Sequence, residues 1–175
     1  MNIVLIGYRC TGKTTVGQIL AERLDWPLVD TDTLVQERAG KDIKGIVAEE
    51  GWEEFRRRER EVVADVAAGD EQVVSAGGGA VLDEANREAL RRSGRVVLLT
   101  AGAETIWERM KSDPKTAAER PDLTDAGGLA EVRNLLAERR ETYLSACHYE
   151  IQTDRFGPEE TAGRVLAWLK ARGEL

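Results

Sequence analysis

The chain alternates short apolar runs with longer amphipathic stretches, and this alternation constrains its fold more than any other feature. "IVLIG", from Ile3, is apolar at every position, as a strand buried on both faces must be. Further strand-like runs stand in "WPLVD", "QVVSAGGG", "RVVLLT" and "HYEIQT". Between them, "TTVGQILAERL" sets Val16, Ile19, Leu20 and Leu24 at helical spacing. "TLVQERAG" and "DIKGIVAEEG" read as short helices closed by Gly40 and Gly51, and "WEEFRRREREVVADVAAG" as a longer one. "DEANREALRRSG" reads as a helix with an Asp83 cap and a Gly94 stop. Helices are also expected over "AETIWERMK", "LAEVRNLLAERRETYLSA" and "PEETAGRVLAWLKAR". Strands alternating with helices predict an α/β domain built on a parallel sheet.

At 175 residues and 42% hydrophobic content, residues 1–175 suit one domain with its own core. A formal net charge of -7 argues against nonspecific nucleic-acid binding, although a local basic pocket can still hold a small anion. No apolar run is long enough to span a membrane. The first residues lead straight into a strand rather than a secretory leader, so a cytoplasmic protein is expected. Cys10, Cys147 and the single histidine, His148, make no convincing zinc site, and no disulfide is expected. His148 reads as structural.

"GYRCTGKTT" follows the first strand and opens the first helix. Gly7-x-x-x-x-Gly12-Lys13-Thr14 fits the P-loop pattern, in the strand-to-helix context the pattern requires. Backbone N–H groups must point inward around a phosphate, so side chains are excluded where the chain turns tightly. The helix that follows offers unpaired N–H groups and its positive end. Lys13 suits the β- and γ-phosphates of a nucleotide, and the Thr14 hydroxyl suits Mg²⁺. Gly7, Cys10, Thr11, Gly12, Lys13, Thr14 and Thr15 are therefore the candidate ATP-binding residues.

Four further stretches carry candidate chemistry. "LVDTDTL" holds Asp30 and Asp32 two apart, a spacing that puts both on one face if the strand continues and that equally suits a turn or helix cap. "GWEEFRRRE" holds Gly51, Phe55, Arg56 and Glu59, with Glu59 one helical turn beyond Arg56 and able to hold it. A planar guanidinium suits a carboxylate ligand. "SAGGGAV" carries Gly77, Gly78 and Gly79, more glycine than a strand-to-helix turn needs. The polar stretch "SDPKTAAERPDLTDAGG" is long for a loop in a compact domain, and such loops are commonly functional. Arg57, Arg58, Arg60 and Arg140 read as solvated surface charge, and Trp52 has no evident role.

Taken together, these stretches resemble the shikimate kinases over nearly the whole chain. That family's loop reads G-x-x-G-x-G-K-[ST], and Cys10 stands where it carries glycine. A small residue there should preserve the loop; a reactive thiol is the other reading of Cys10. The resemblance implies a nucleoside-monophosphate-kinase-like fold: a three-layer α/β/α sandwich with a five-stranded parallel sheet in the order 2-3-1-4-5. It implies an acceptor-binding region at about residues 32–62 and a lid at about 112–127. It implies phosphorylation of the 3-hydroxyl of shikimate by ATP with Mg²⁺, in aromatic amino acid biosynthesis, by a monomer. Carried over residue by residue, Thr14 and Asp30 hold the metal, and Asp32 meets the acceptor hydroxyl and is a possible base. Arg56 and Arg139, the latter aligned on Tyr143, bind the acceptor carboxylate beside Gly77, Gly78 and Gly79. Arg120 of "ERPDL" is the lid arginine that neutralises the transferring phosphoryl group. Arg109 and Pro158 sandwich the adenine. The alternatives are another small-molecule kinase of this fold, such as a gluconate kinase, or a nucleotide-binding regulatory module without catalysis.

Overall fold

The computed structural model describes residues 1–113 and 127–175. Five strands form one parallel sheet: β1 (Asn2–Ile6), β2 (Leu28–Asp30), β3 (Val73–Ser75), β4 (Gly94–Thr100) and β5 (Tyr149–Gln152). Their order is β2-β3-β1-β4-β5, as the resemblance implied. Every neighbouring pair runs parallel, with Val4 opposite Val74 on one side and Val96 on the other.

Strand periodicity divides the core in two. Val4 and Ile6 of β1 face a cluster with Val35, Ile46, Val62, Val63 and Leu90, whereas Ile3 and Leu5 face Val16, Leu20, Val165 and Leu169. The second cluster is supplied by α1 (Lys13–Leu24) and α7 (Pro158–Ala171). The first comes mainly from α2 (Thr31–Ala39), α3 (Ile43–Ala67) and α4 (Glu84–Ser93). The result is a three-layer sandwich. A third cluster joins Tyr8 to Ile106 of α5 (Ala103–Ser112) and to Val132 and Leu135 of α6 (Gly128–Ala146). No helix among the described residues is long and apolar enough to cross a membrane.

Local chemistry accounts for the helix ends. Gly40 closes α2 at φ 67°, and Gly51 breaks α3 at φ 84°, ψ 168°, so the two helices expected on either side of Gly51 are present. Asp83 caps α4 by accepting the N–H groups of Ala85 (2.9 Å) and Asn86 (3.3 Å). Gly94 stops α4 as expected. It does not end α4 in a left-handed turn but opens β4 in extended conformation. A Cβ there would lie 2.6 Å from the Asn2 carbonyl carbon and 2.8 Å from its nitrogen, so this position requires glycine for close strand approach.

Candidate active site

The strand order reverses at β1, and the loop that leaves its carboxyl end lies at this switch point. Gly7 has φ 141° and Gly12 φ 97°, both in the left-handed half that favours glycine. A Cβ on Gly7 would also stand 3.3 Å from the carbonyl carbon of Leu99, at the end of β4. The loop curls around its own lysine: Lys13 Nζ donates to the carbonyls of Gly7 (2.9 Å) and Tyr8 (2.8 Å). Thr11 Oγ1 also donates to the Tyr8 carbonyl, at 2.8 Å. Cys10 keeps the loop shape only by adopting φ 59°, a left-handed conformation that costs an L-residue roughly 1–2 kcal/mol.

Asp30 and Asp32 do not share a strand face. β2 ends at Asp30, whose side chain accepts the Thr33 N–H at 3.1 Å and caps α2. Asp32 therefore lies in the first helical turn. Capping turns the chain before a second strand residue can follow, yet both residues line the cleft beside Lys13 and Thr14. Asp30 Oδ2 lies 3.4 Å from Thr14 Oγ1 across the mouth of the loop. These are hard oxygen donors of the kind Mg²⁺ takes beside a nucleotide phosphate, so the residues present fit that ion. Asp32 lines both the cleft beside Lys13 and Thr14 and a neighbouring cleft walled by Arg56, Glu59, Gly78, Gly79 and Arg139.

In that second cleft, Arg56 Nη1 donates to Glu59 at 2.6 Å. Its guanidinium also lies over the rings of Phe55 (5.2 Å) and Trp52 (5.7 Å), which gives Trp52 a place in the wall. Glu59 is only 1% exposed, and burial pushes its carboxyl above the usual range against the opposing pull of Arg56. Arg139, on α6, is 7% exposed, and its Nε has no hydrogen-bond partner among the described residues. A buried donor left open beside a cleft fits an anionic ligand.

Two glycines of the triplet, Gly77 and Gly79, have a steric reason. A Cβ on Gly77 would lie 3.1 Å from Glu59 Oε1 and 3.2 Å from Asp32 Cγ. A Cβ on Gly79 would lie 2.7 Å from Arg56 Nη1. A Cβ on Gly78 would make only ordinary contacts, 3.5 Å from the Gly7 carbonyl oxygen and the Arg9 nitrogen, and the Gly78 carbonyl accepts the Tyr143 hydroxyl at 2.6 Å. Bare backbone at Gly77 and Gly79 makes room for the chain's own carboxylates and guanidinium.

On the opposite side of the loop, a third cleft is lined by Thr15, Arg109, Thr153, Phe156 and Pro158. Arg109 and Pro158 thus face one space, as an adenine sandwich requires. Arg109 also holds the loop: Nη1 donates to the Cys10 carbonyl (3.2 Å) and to Thr153 Oγ1 (3.1 Å). Thr153 in turn donates to the Thr11 carbonyl at 2.9 Å. Thr153 and Arg9 were not singled out by sequence reasoning, because contacts across the fold leave no local pattern.

Arg120 and residues 114–126 of the expected lid lie outside the described residues. Arg57, Arg58 and Arg60 form surface ion pairs with Glu54, Glu50 and Asp83, and exposed Arg140 approaches Glu150 at 3.5 Å. His148 is structural: its Nδ1 accepts the Val96 N–H (3.0 Å), and its own N–H meets the Val96 carbonyl (2.8 Å).

A phosphate loop opening the first helix, with an arginine-walled cleft beside it and a carboxylate between, defines a P-loop small-molecule kinase. The shikimate kinase family model matches residues 9–170, and the chain belongs to that family of enzymes of aromatic amino acid biosynthesis. It is 49% identical to a shikimate kinase of Symbiobacterium thermophilum over 174 residues, 99% of each chain. The structure of a shikimate kinase from Acinetobacter baumannii in complex with shikimate superimposes with a TM-score of 0.90 at 32% identity, covering 98% of this chain and 93% of that one. The shikimate kinase from Aquifex aeolicus gives 0.81 at 32% identity, covering 99% and 98%.

Proposed function

We propose that the chain transfers the γ-phosphoryl group of ATP to the 3-hydroxyl of shikimate, giving shikimate 3-phosphate and ADP. The observation that carries this reading is the place of Asp32, which lines both the phosphate cleft and the arginine-walled cleft. A carboxylate there stands where an acceptor hydroxyl meets the phosphoryl group. Asp32 accepts the hydroxyl proton as the acceptor oxygen bonds to phosphorus and the bond to the β-phosphate oxygen breaks. Arg56, held by Glu59, and Arg139 anchor the shikimate carboxylate and so orient the ring. Lys13 and the loop N–H groups stabilise charge on the β- and γ-phosphates. Thr14 and Asp30 hold Mg²⁺, which when bound with the nucleotide supplies charge neutralisation. Arg109 and Pro158 hold the adenine, and Arg120 meets the phosphoryl group at closure. The enzyme acts as a cytoplasmic monomer.

A coupled ADP-release assay tests this with shikimate and gluconate as acceptors. Turnover is expected with shikimate alone, and phosphorus NMR should show a new monoester. Faster release with gluconate would assign a different acceptor, and no release with either would leave a nucleotide-binding module.

A further inference from the structure

Two consecutive peptide units of the phosphate loop are clamped from outside it. Arg109 Nη1 donates to the Cys10 carbonyl at 3.2 Å, and Thr153 Oγ1 donates to the Thr11 carbonyl at 2.9 Å. The loop's peptides are trans, and in a planar trans peptide the C=O and N–H point in opposite directions. Holding these two carbonyls on the side of Arg109 and Thr153 therefore turns the N–H groups of Thr11 and Gly12 the other way. They are directed to the side of the loop where Gly12, Lys13 and Thr14 line the phosphate cleft.

Thr153 is tied through every polar group it has and is only 8% exposed. Its N–H donates to the Thr100 carbonyl at 2.7 Å, and its carbonyl accepts Arg109 Nη2 at 3.1 Å. Its Oγ1 accepts Arg109 Nη1 at 3.1 Å, so its single proton must turn elsewhere. Of the two carbonyls within reach, that of Thr11 is nearer than that of Thr100, at 2.9 Å against 3.2 Å. The Thr100 carbonyl is already served by the Thr153 N–H. One hydroxyl thus joins the end of β4, the phosphate loop and the arginine of the base cleft. Thr153 does not itself line the phosphate cleft, so any effect it has on a phosphate passes through the loop.

We propose that Thr153 is a positioning residue for phosphoryl transfer, which holds the Thr11 carbonyl and so orients the loop N–H groups that bind the nucleotide phosphates. Because Arg109 orients the same hydroxyl, the base cleft and the phosphate loop share one hydrogen-bonded joint. This rests on the reading of the loop as the ATP site.

Thr153→Val removes the hydroxyl and keeps the branched shape, whereas Thr153→Ser keeps the hydroxyl. Calorimetric titration with ADP, adenosine and inorganic tripolyphosphate separates the loop from the base cleft. Thr153→Val is expected to raise the Kd of ADP and of tripolyphosphate about tenfold each, with adenosine affinity changed less than about twofold. The KM for ATP should rise while that for shikimate stays unchanged. Thr153→Ser should recover most of the phosphate affinity, and Thr153→Ala provides the measurement if the valine variant does not fold. A lowered melting temperature with tripolyphosphate affinity unchanged would make Thr153 a structural residue only and overturn the proposal. Loss of adenosine affinity equal to that of ADP would assign it to the base and also overturn it, as would a serine variant as impaired as the valine one. Native enzyme that binds neither ADP nor tripolyphosphate would overturn the nucleotide reading itself, which the unmodified protein reports before any variant is made.

Discussion

A methyl group on the Cα of Gly79 would stand 2.7 Å from Nη1 and 2.8 Å from Cζ of Arg56. The backbone at Gly79, with φ -105°, is open to alanine, so Gly79→Ala should displace the guanidinium without straining the chain. Shikimate binding should weaken about tenfold, with ADP binding and the melting temperature nearly unchanged. Titration calorimetry with both ligands decides this; unchanged shikimate affinity would remove Arg56 from the acceptor site.

Lys13 organises the loop through the Gly7 and Tyr8 carbonyls. Lys13→Ala should cost about 3 kcal/mol or more in the transition state, roughly a hundredfold or more in turnover. Near-normal kcat in a steady-state assay would show that the phosphate charge is met elsewhere.

The different placements of Asp30 and Asp32 separate their effects. Asp32→Asn should cut kcat sharply while leaving ATP affinity nearly intact, since it removes the proton acceptor at the cleft junction. Asp30→Asn keeps an N-cap but weakens the oxygen pair with Thr14, and should raise the Mg²⁺ concentration needed for half-maximal rate. The opposite pattern in a magnesium titration would exchange the two roles.

Cys10 pays for its left-handed conformation, and glycine would not. Cys10→Gly should be nearly neutral, because relief of strain is offset by the added freedom of the unfolded chain, about 0.4–1 kcal/mol. Cys10→Val should be destabilising, lowering the melting temperature by roughly 2–4 °C or more. If Cys10→Gly loses most of its activity while keeping its stability, the thiol itself contributes to catalysis.

Burial raises the carboxyl of Glu59, so the folded chain binds that proton more tightly than the unfolded chain does. In the window from the ordinary glutamate range up to the raised value, this group's contribution to stability therefore falls as pH rises. Acceptor binding should respond in the opposite direction. A protonated Glu59 holds Arg56 less firmly, so shikimate affinity should decline on acidification through the same window. Glu59→Gln should remove both dependences and bind shikimate more weakly at neutral pH. Urea melts and shikimate titrations from about pH 4 to pH 7 measure both signs.

Much of this site is local in the sequence and could be read there. The Gly7–Thr14 spacing, the Asp83 cap and the closing glycines at 40 and 51 each satisfy a requirement of their own backbone. The pairing of Arg56 with Glu59 follows from one helical turn. The spacing of Asp30 and Asp32 left strand face and helix cap open, because a three-residue strand ends wherever its cap begins, and D-x-D is compatible with either geometry. Gly94 stops α4 as read, but the need for glycine at that position lies in Asn2, far away along the chain. Thr153 reaches the Thr11 carbonyl from beyond the end of β5, where only the finished fold brings partners together.

The ties from Arg109 and Thr153 to the carbonyls of Cys10 and Thr11 reverse the order in which the site becomes usable. A ribosome makes the phosphate loop among the first residues of the chain, but its bracing comes from a helix and a strand end made much later. Thr153 follows β5, which must pair with β4 before its hydroxyl can reach the loop. Nucleotide binding thus matures late in synthesis, and a chain truncated before residue 153 would carry an intact glycine-lysine motif with little to hold it in shape.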